Sequence, residues 1–237
     1  MDTIDAALGY ERLGAFPGSP YSGKPVMRSD LSDHKFVWNG TIWKPSSGIP
    51  IFSSTANRDA GFPSPVEGDT ALVTANKSLY VYNGGGWQQT YFYGGIPQAK
   101  LTRTTTQATT DATDAFVAFT SEVIDTHGGH DNATNNTRYT AQVGGMYMVC
   151  ASVPWANSAV GVRRLDFRKN GTTFYSGSAY AAGAAVRVVS HATRIIELTF
   201  GDYVEVSINQ TSGGNLNADG TVNEGLVLDV MWMGFKA

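Results

Sequence analysis

The sequence predicts an all-β protein, a C-terminal β-sandwich preceded by two small hairpin modules. Three observations carry this. The 27 glycines stand among many Thr and Val residues, the composition of strands separated by tight turns. Apolar residues almost nowhere recur with the 3.6-residue period of a helix. The N-terminal part also repeats itself, PYSGKPVMRSDLSDHKFVWNGTIW ending at Trp43 and PVEGDTALVTANKSLYVYNGGGW ending at Trp87.

In that repeat Pro20 matches Pro65, Gly23 matches Gly68, Asn39-Gly40 matches Asn83-Gly84 and Trp43 matches Trp87. Each copy runs an alternating aromatic strand, Phe36-Val37-Trp38 or Leu79-Tyr80-Val81-Tyr82, into an Asn-Gly turn and then a tryptophan. That is the pattern of a small hairpin with one large apolar anchor. A unit of this size buries little alone and needs a partner surface. Trp38, Trp43, Tyr80, Tyr82 and Trp87 are therefore candidate anchors, either of the module's own core or of a docking contact. The modules are assigned to residues 1–50 and 51–95. KPSSGIPIFSSTANRDAGFPSP reads as a Ser/Gly/Pro-rich connector between them, and the Thr-rich 96–115 as a linker to a domain at 116–237.

A new β pattern begins at Phe116-Val117-Ala118-Phe119. Further strands are expected at 137–143, 146–153, Val162–Lys169, 186–198, Tyr203–Gln210 and 226–235, a spacing that suits a sandwich or jelly roll. Val204, Val206 and Ile208 alternate with Glu205, Ser207 and Asn209, which predicts a strand wet on one face. Two strands differ. In MYMVCASV, Tyr147, Val149, Ala151 and Val153 fill one face while Met146, Met148 and Cys150 fill the other, and LVLDVMWMGF is again largely apolar on both. A sandwich strand turns one face to its own core. The second apolar face must meet something else, and the simplest partner is another copy of the chain. Met146, Met148, Cys150, Met231, Met233 and Phe235 are the candidate interface. Cys150, the single cysteine, reads as a buried structural thiol rather than a nucleophile.

Seventeen basic and 20 acidic residues offer no broad cationic face for a nucleic-acid backbone. No apolar run approaches the roughly 20 residues of a membrane span, and the N-terminus lacks a signal-peptide pattern. The chain is expected to be soluble and unprocessed, without membrane insertion and without a cofactor. The stretch DTHGGHDNATNNTRYT holds Asp125, His127, His130 and Asp131, which are chemically able to bind zinc or calcium. Their spacing matches no metal signature, and the glycines and asparagines point to turn chemistry. The carboxylates Asp111, Asp114, Glu122, Asp125 and Asp131 cluster along the chain but lie in polar segments. Such segments supply no apolar pocket to raise one of them for acid catalysis. No nucleophile elbow, phosphate loop or dinucleotide fingerprint is present, so no catalytic residue is assigned and no enzyme is expected.

On these residues, segment 116–235 resembles the trimeric jelly-roll superfamily of the complement C-one-q globular head and tumour necrosis factor. RYTAQVGGMYMVCASVPW resembles its strand, Gly-x-Tyr turn and apolar strand. FGDYVEVSIN resembles its Gly-Asp-x-Val strand, and VMWMGFKA its closing aromatic-Gly-Phe strand. Tyr147, Gly201, Asp202, Val204, Gly234 and Phe235 occupy matching positions. The resemblance implies a ten-stranded jelly roll forming a homotrimer, and DTHGGHDNATNNTRYT is similar to the loop preceding this strand in phage versions. FSSTANRDAGFPSPVEGDTALVTANKSLYVYNGGGW resembles short modules of phage minor tail proteins. Together these imply a virion protein, a trimeric tail appendage docking to other virion proteins by its N-terminal half and presenting the jelly roll to a host-surface glycan. A trimeric capsid decoration protein is the alternative. No collagen-like rod or heptad coiled coil joins the halves, which favours a short spike or surface decoration over a long fibre.

Overall fold

A computed structural model describes residues 4–5, 10–16, 18, 25–28, 34–38, 43–45, 48–181, 187–222 and 225–236. The chain divides into two compact units, Met1–Gly95 and Ile96–Ala237.

In the first unit β1 (Ile4–Asp5), β2 (Tyr10–Leu13), β3 (Pro25–Arg28), β4 (His34–Trp38) and β5 (Trp43–Pro45) form one sheet in sequence order. β6 (Ile51–Phe52), β7 (Thr70–Val73), β8 (Ser78–Tyr82) and β9 (Trp87–Phe92) form a second. The sequence repeat is a repeat of topology. β2 pairs parallel with β3 as β6 does with β7, and two antiparallel pairings follow in each copy. Register agrees as well, with Trp38 opposite Trp43 and Tyr82 opposite Trp87. Asn83 closes its turn by accepting the Gly85 and Gly86 N–H groups on Oδ1, at 3.0 and 2.9 Å, while Gly84 adopts φ +88°. Asn39-Gly40, Pro20 and Gly23 lie outside the described residues. The modules solve their shortage of core jointly. Val26 and Phe36 of the first and Phe52, Phe62 and Ala71 of the second form one buried cluster, against which Phe16 and Trp87 pack.

The expected connector between the modules is partly ordered structure. It contains β6 and a short helix, α1 (Thr55–Gly61), whose N-cap Ser54 accepts the Asn57 N–H on Oγ at 3.2 Å. Ser and Gly suggested a loop, but a Ser followed by TANRDA is also a capped helix start.

The second unit contains β10 (Gln98–Arg103), β11 (Gln107–Thr109), β12 (Ala115–Phe116), β13 (Ser121–Asp125), β14 (Arg138–Thr140) and β15 (Gly145–Pro154). These are followed by β16 (Val162–Lys169), β17 (Thr173–Ala181), β18 (Val189–Leu198), β19 (Tyr203–Gln210), β20 (Leu216–Ala218) and β21 (Leu226–Gly234). Ten of these make two facing sheets. One has the order β13-β10-β21-β15-β18; the other has β12-β19-β16-β17 with β14 also on β19, and β11 pairs β20 as a separate ribbon. From β15 onward the chain steps to the second sheet for β16 and β17, back for β18, across for β19 and back for β21, which is the winding of a jelly roll. Tyr147, Val149, Ala151, Val153 and Trp155 meet Leu165, Phe167, Val204, Val206 and Ile208 in the core between the sheets.

Two expectations need correction here. Residues 96–115 are not a linker, because β10 lies inside the first sheet between β13 and β21. Ala99 and Leu101 are buried while Lys100 and Arg103 are only partly so, an alternation masked by threonines that are themselves good strand residues. The polar side of β19 is also not wet. Glu205 and Ser207 are buried like their apolar neighbours, because β12, β14 and β16 flank the strand and Thr137 Oγ1 donates to Glu205 Oε1 at 2.6 Å.

The motifs that carried the resemblance have local causes. A Cβ on Gly145 would run into the indole nitrogen of Trp232 and the Gly234 carbonyl. The Trp232 indole N–H donates to Gly144 O at 3.2 Å. Tyr147, buried, donates its hydroxyl to Val143 O at 2.6 Å, and burial pushes its pKa up. Gly201 takes φ +86° in the turn before β19. Beside it Asp202 accepts from the Thr199 N–H and hydroxyl, both at 2.8 Å, and from Asn170 Nδ2 at 2.7 Å.

Candidate functional site

The first site is the face of the five-stranded sheet that points away from the core. Strand pairing aligns its residues in rows. Ile195, Met148 and Met231 stand side by side on β18, β15 and β21. The next row runs Thr193, Cys150, Asp229, Lys100 and Ile124 across all five strands. Met231 is 38% exposed, Met233 54% and Ile195 59%, a density of open apolar side chains unusual for an unassociated surface. Beside Met148 and Met231 lies a groove of about 420 Å³ lined also by Gln98, Lys100, Ile124, Cys150 and Asp229.

The structure thus brings Met148, Cys150 and Met231 together. Met146 stands half-buried opposite Glu197, and Met233 and Phe235 lie exposed at the end of β21, with Phe235 edge-on to Trp232 at 4.9 Å. Cys150 is not a core thiol. It is half-buried on this open face, with Sγ 3.7 Å from His191 Nε2, since its neighbours Val149 and Ala151 take the inward positions. Sequence reasoning missed Ile124 and Ile195, which lie among polar residues on this face of β13 and β18. It also missed the opposed charges Lys100 and Asp229 that cross it.

The second site is the loop after β13. Asp125 organises it, accepting the N–H groups of His127 and Gly128 on Oδ1 at 3.2 and 2.9 Å and that of His130 on Oδ2 at 2.9 Å. Asp131 accepts the Ala133 and Thr134 N–H groups on Oδ1 at 2.8 and 2.9 Å. These donors, Thr134 first, hold its carboxyl below the usual range. The two glycines serve different ends. Gly128 adopts φ +68°, whereas a Cβ on Gly129 would collide with the buried Tyr139 ring. His130 Nδ1 is 2.8 Å from Arg138 O, so this nitrogen carries the proton, and its buried Nε2 has no hydrogen-bond partner. Among the described residues no three His, Cys, Asp or Glu side chains converge as a metal-ion set. The loop instead frames a polar cavity of about 240 Å³ lined by Gly128, Gly129, His130, Asp131, Thr134, Asn135, Arg138, Thr140 and Gln142.

The other carboxylates considered for catalysis are occupied separately. Asp114 binds Arg164 at 2.6 Å, Arg168 at 2.9 Å and Asn209 at 2.8 Å. Asp111 accepts the Gly213 N–H at 2.8 Å, and Glu122 lies exposed on β13.

Of the N-terminal anchors, Trp87 packs edge-on to Phe62 at 5.0 Å and Tyr82 at 5.6 Å, and Tyr80 is buried. A residue unremarked in the sequence joins them. The Arg58 guanidinium, from α1, sits 4.6 Å from the Tyr80 ring centre and 4.9 Å from that of Trp87, with Asp59 at 2.7 Å. The stretches TANRDA and LYVYNGGGW therefore meet in one stacked cluster. Trp38 and Trp43 are placed by backbone pairing alone, and their side chains lie outside the described set.

No protein-family model matches this chain, and no curated protein matches it. Among solved structures it is similar to the globular domain of zebrafish complement 1qA protein, at 16% identity over 59% of this chain and 99% of that one, with a TM-score of 0.43. It is also similar to murine APRIL, at 13% identity over 59% of this chain and 100% of that one, with a TM-score of 0.45. A third is Eiger TNF from S. frugiperda, at 9% identity over 60% and 95%, with a TM-score of 0.45.

Proposed function

We propose that the chain is a non-enzymatic structural and binding protein that assembles as a homotrimer through the open face of its five-stranded sheet. The observation that carries this reading is the row Ile195, Met148 and Met231, apolar and uncovered on a sheet whose other face already fills the core. Covering such a face removes apolar area from water at roughly 25 cal/mol per Å². A closed ring of identical chains covers every copy of it. The matching motifs around Tyr147 and Asp202 support three copies rather than two.

In this reading the trimer is a bacteriophage tail appendage. Residues 1–95 dock to neighbouring virion proteins, and the jelly roll meets a host-surface glycan. The phage part rests on the resemblance of the N-terminal modules. Imaging intact particles with the chain labelled tests it. Label at the tail tip is expected; label on the capsid shell would make it a decoration protein, and unlabelled particles would remove the virion reading.

A further inference from the structure

The cavity in the loop after β13 has an unbalanced chemistry that selects a ligand. Among its lining residues the one permanently charged cation is Arg138. The Arg138 guanidinium stacks on the Tyr203 ring at 4.5 Å, and among the described residues it has no carboxylate partner and no hydrogen bond. Stacking fixes its plane and leaves the N–H edge free for a planar, two-oxygen acceptor. Around it are groups suited to hydroxyls. The side chains of Thr134 and Asn135 make no hydrogen bond with other described residues, and Asp131 uses only Oδ1 for its turn. A cavity of about 240 Å³ falls just under the ~300–1,000 Å³ of drug-sized sites and suits one small polar ring.

The ligand must satisfy both signs of charge. A carboxylate answers Arg138. A doubly charged phosphate would also face the Asp131 carboxylate, which repels it, whereas sugar hydroxyls can donate to Asp131 Oδ2 and accept from Asn135. We infer that this cavity is a binding site for a carboxylated sugar, a hexuronate unit, with Arg138 holding the carboxylate and Thr134, Asn135 and Asp131 reading hydroxyls. The inference deepens the glycan-binding role proposed above but is independent of trimer formation, since every group comes from one chain.

The test is calorimetric or NMR titration of the full chain with glucuronate, glucose and inorganic phosphate, with the molar mass recorded on the same samples. Saturable glucuronate binding, with glucose weaker by roughly 10- to 100-fold, is expected, the range a charge-assisted hydrogen bond supplies. Arg138→Gln should erase the preference. Because it also loses the Tyr203 stack, Arg138→Lys and the loop variant Asn135→Ala serve beside it; the first should weaken glucuronate selectively, the second both sugars. No saturable glucuronate binding, phosphate bound more tightly than glucuronate, or equal affinities in the wild type and all three variants would overturn the assignment. A monomer that binds glucuronate would sink the assembly reading alone, and a trimer that does not would sink this one alone.

Discussion

Met148 and Met231 stand directly opposite one another on β15 and β21, both on the sheet face that the core leaves free. If that face is a dry contact between copies, a charge there is costly, because a buried unpaired ion is strongly disfavoured. Met148→Asp or Met231→Asp is expected to reduce the assembly to single chains or to unfold it. Light scattering and a thermal melt check this, and unchanged mass and melting temperature in both variants would show a face that solvent reaches.

Asp202 makes the jelly roll's stability depend on acidity. Burial acts to raise its pKa, but Lys169 at 2.7 Å, Asn170 and Thr199 overcome this and hold it far below the usual carboxylate range. The folded-state pKa is then lower than the unfolded value of about 3.9. Its contribution is complete above roughly pH 5 and fades as pH falls through about 4 toward the folded value. Asp202→Asn should cost roughly 1–3 kcal/mol at neutral pH, and the gap to the wild type should close in acid. Urea melts at pH 7 and near pH 3 measure this; a gap that does not shrink contradicts it.

Arg58 should be worth more to the second N-terminal module than its place on a seven-residue helix suggests. A desolvated guanidinium between two aromatic rings is worth about 2 kcal/mol, and its stem adds packing. Arg58→Ala is expected to lower amide-exchange protection of β8 and β9 in the full chain while leaving β15 unaffected. Equal protection in both proteins would make the stack incidental.

The loop after β13 is held by backbone N–H groups on Asp125 and Asp131, so chelators should leave the melting temperature unchanged. A fall of several degrees in EDTA, restored by calcium or zinc, would return Asp125, His127, His130 and Asp131 to the role of metal ligands.

What could be read in the sequence was whatever strand periodicity encodes directly. β16 and β19 occupy the expected residues, and the inward set of β15 is the expected one. The hairpin repeat was visible because Trp87 and Asn83-Gly84 have obvious counterparts. Its upstream half escaped notice, although Phe16-Pro17 and Phe62-Pro63 are also a matched pair and both phenylalanines pack on the shared core. β10 was hidden among threonines, and β17, with Ser176, Gly177 and Ser178 at its centre, was not among the expected strands. Gly177 is small because a Cβ there would strike the Leu165 carbonyl across the bulge, a long-range cause that local pattern does not carry. The same holds for Arg138 and Arg58, whose importance comes from aromatic rings distant in sequence.

Whether the open sheet face joins three chains is tested most directly by the molar mass of the purified 237-residue chain. Multi-angle light scattering at micromolar concentration should give three times the 25.3 kDa of one chain. A mass of one chain under those conditions would contradict the account.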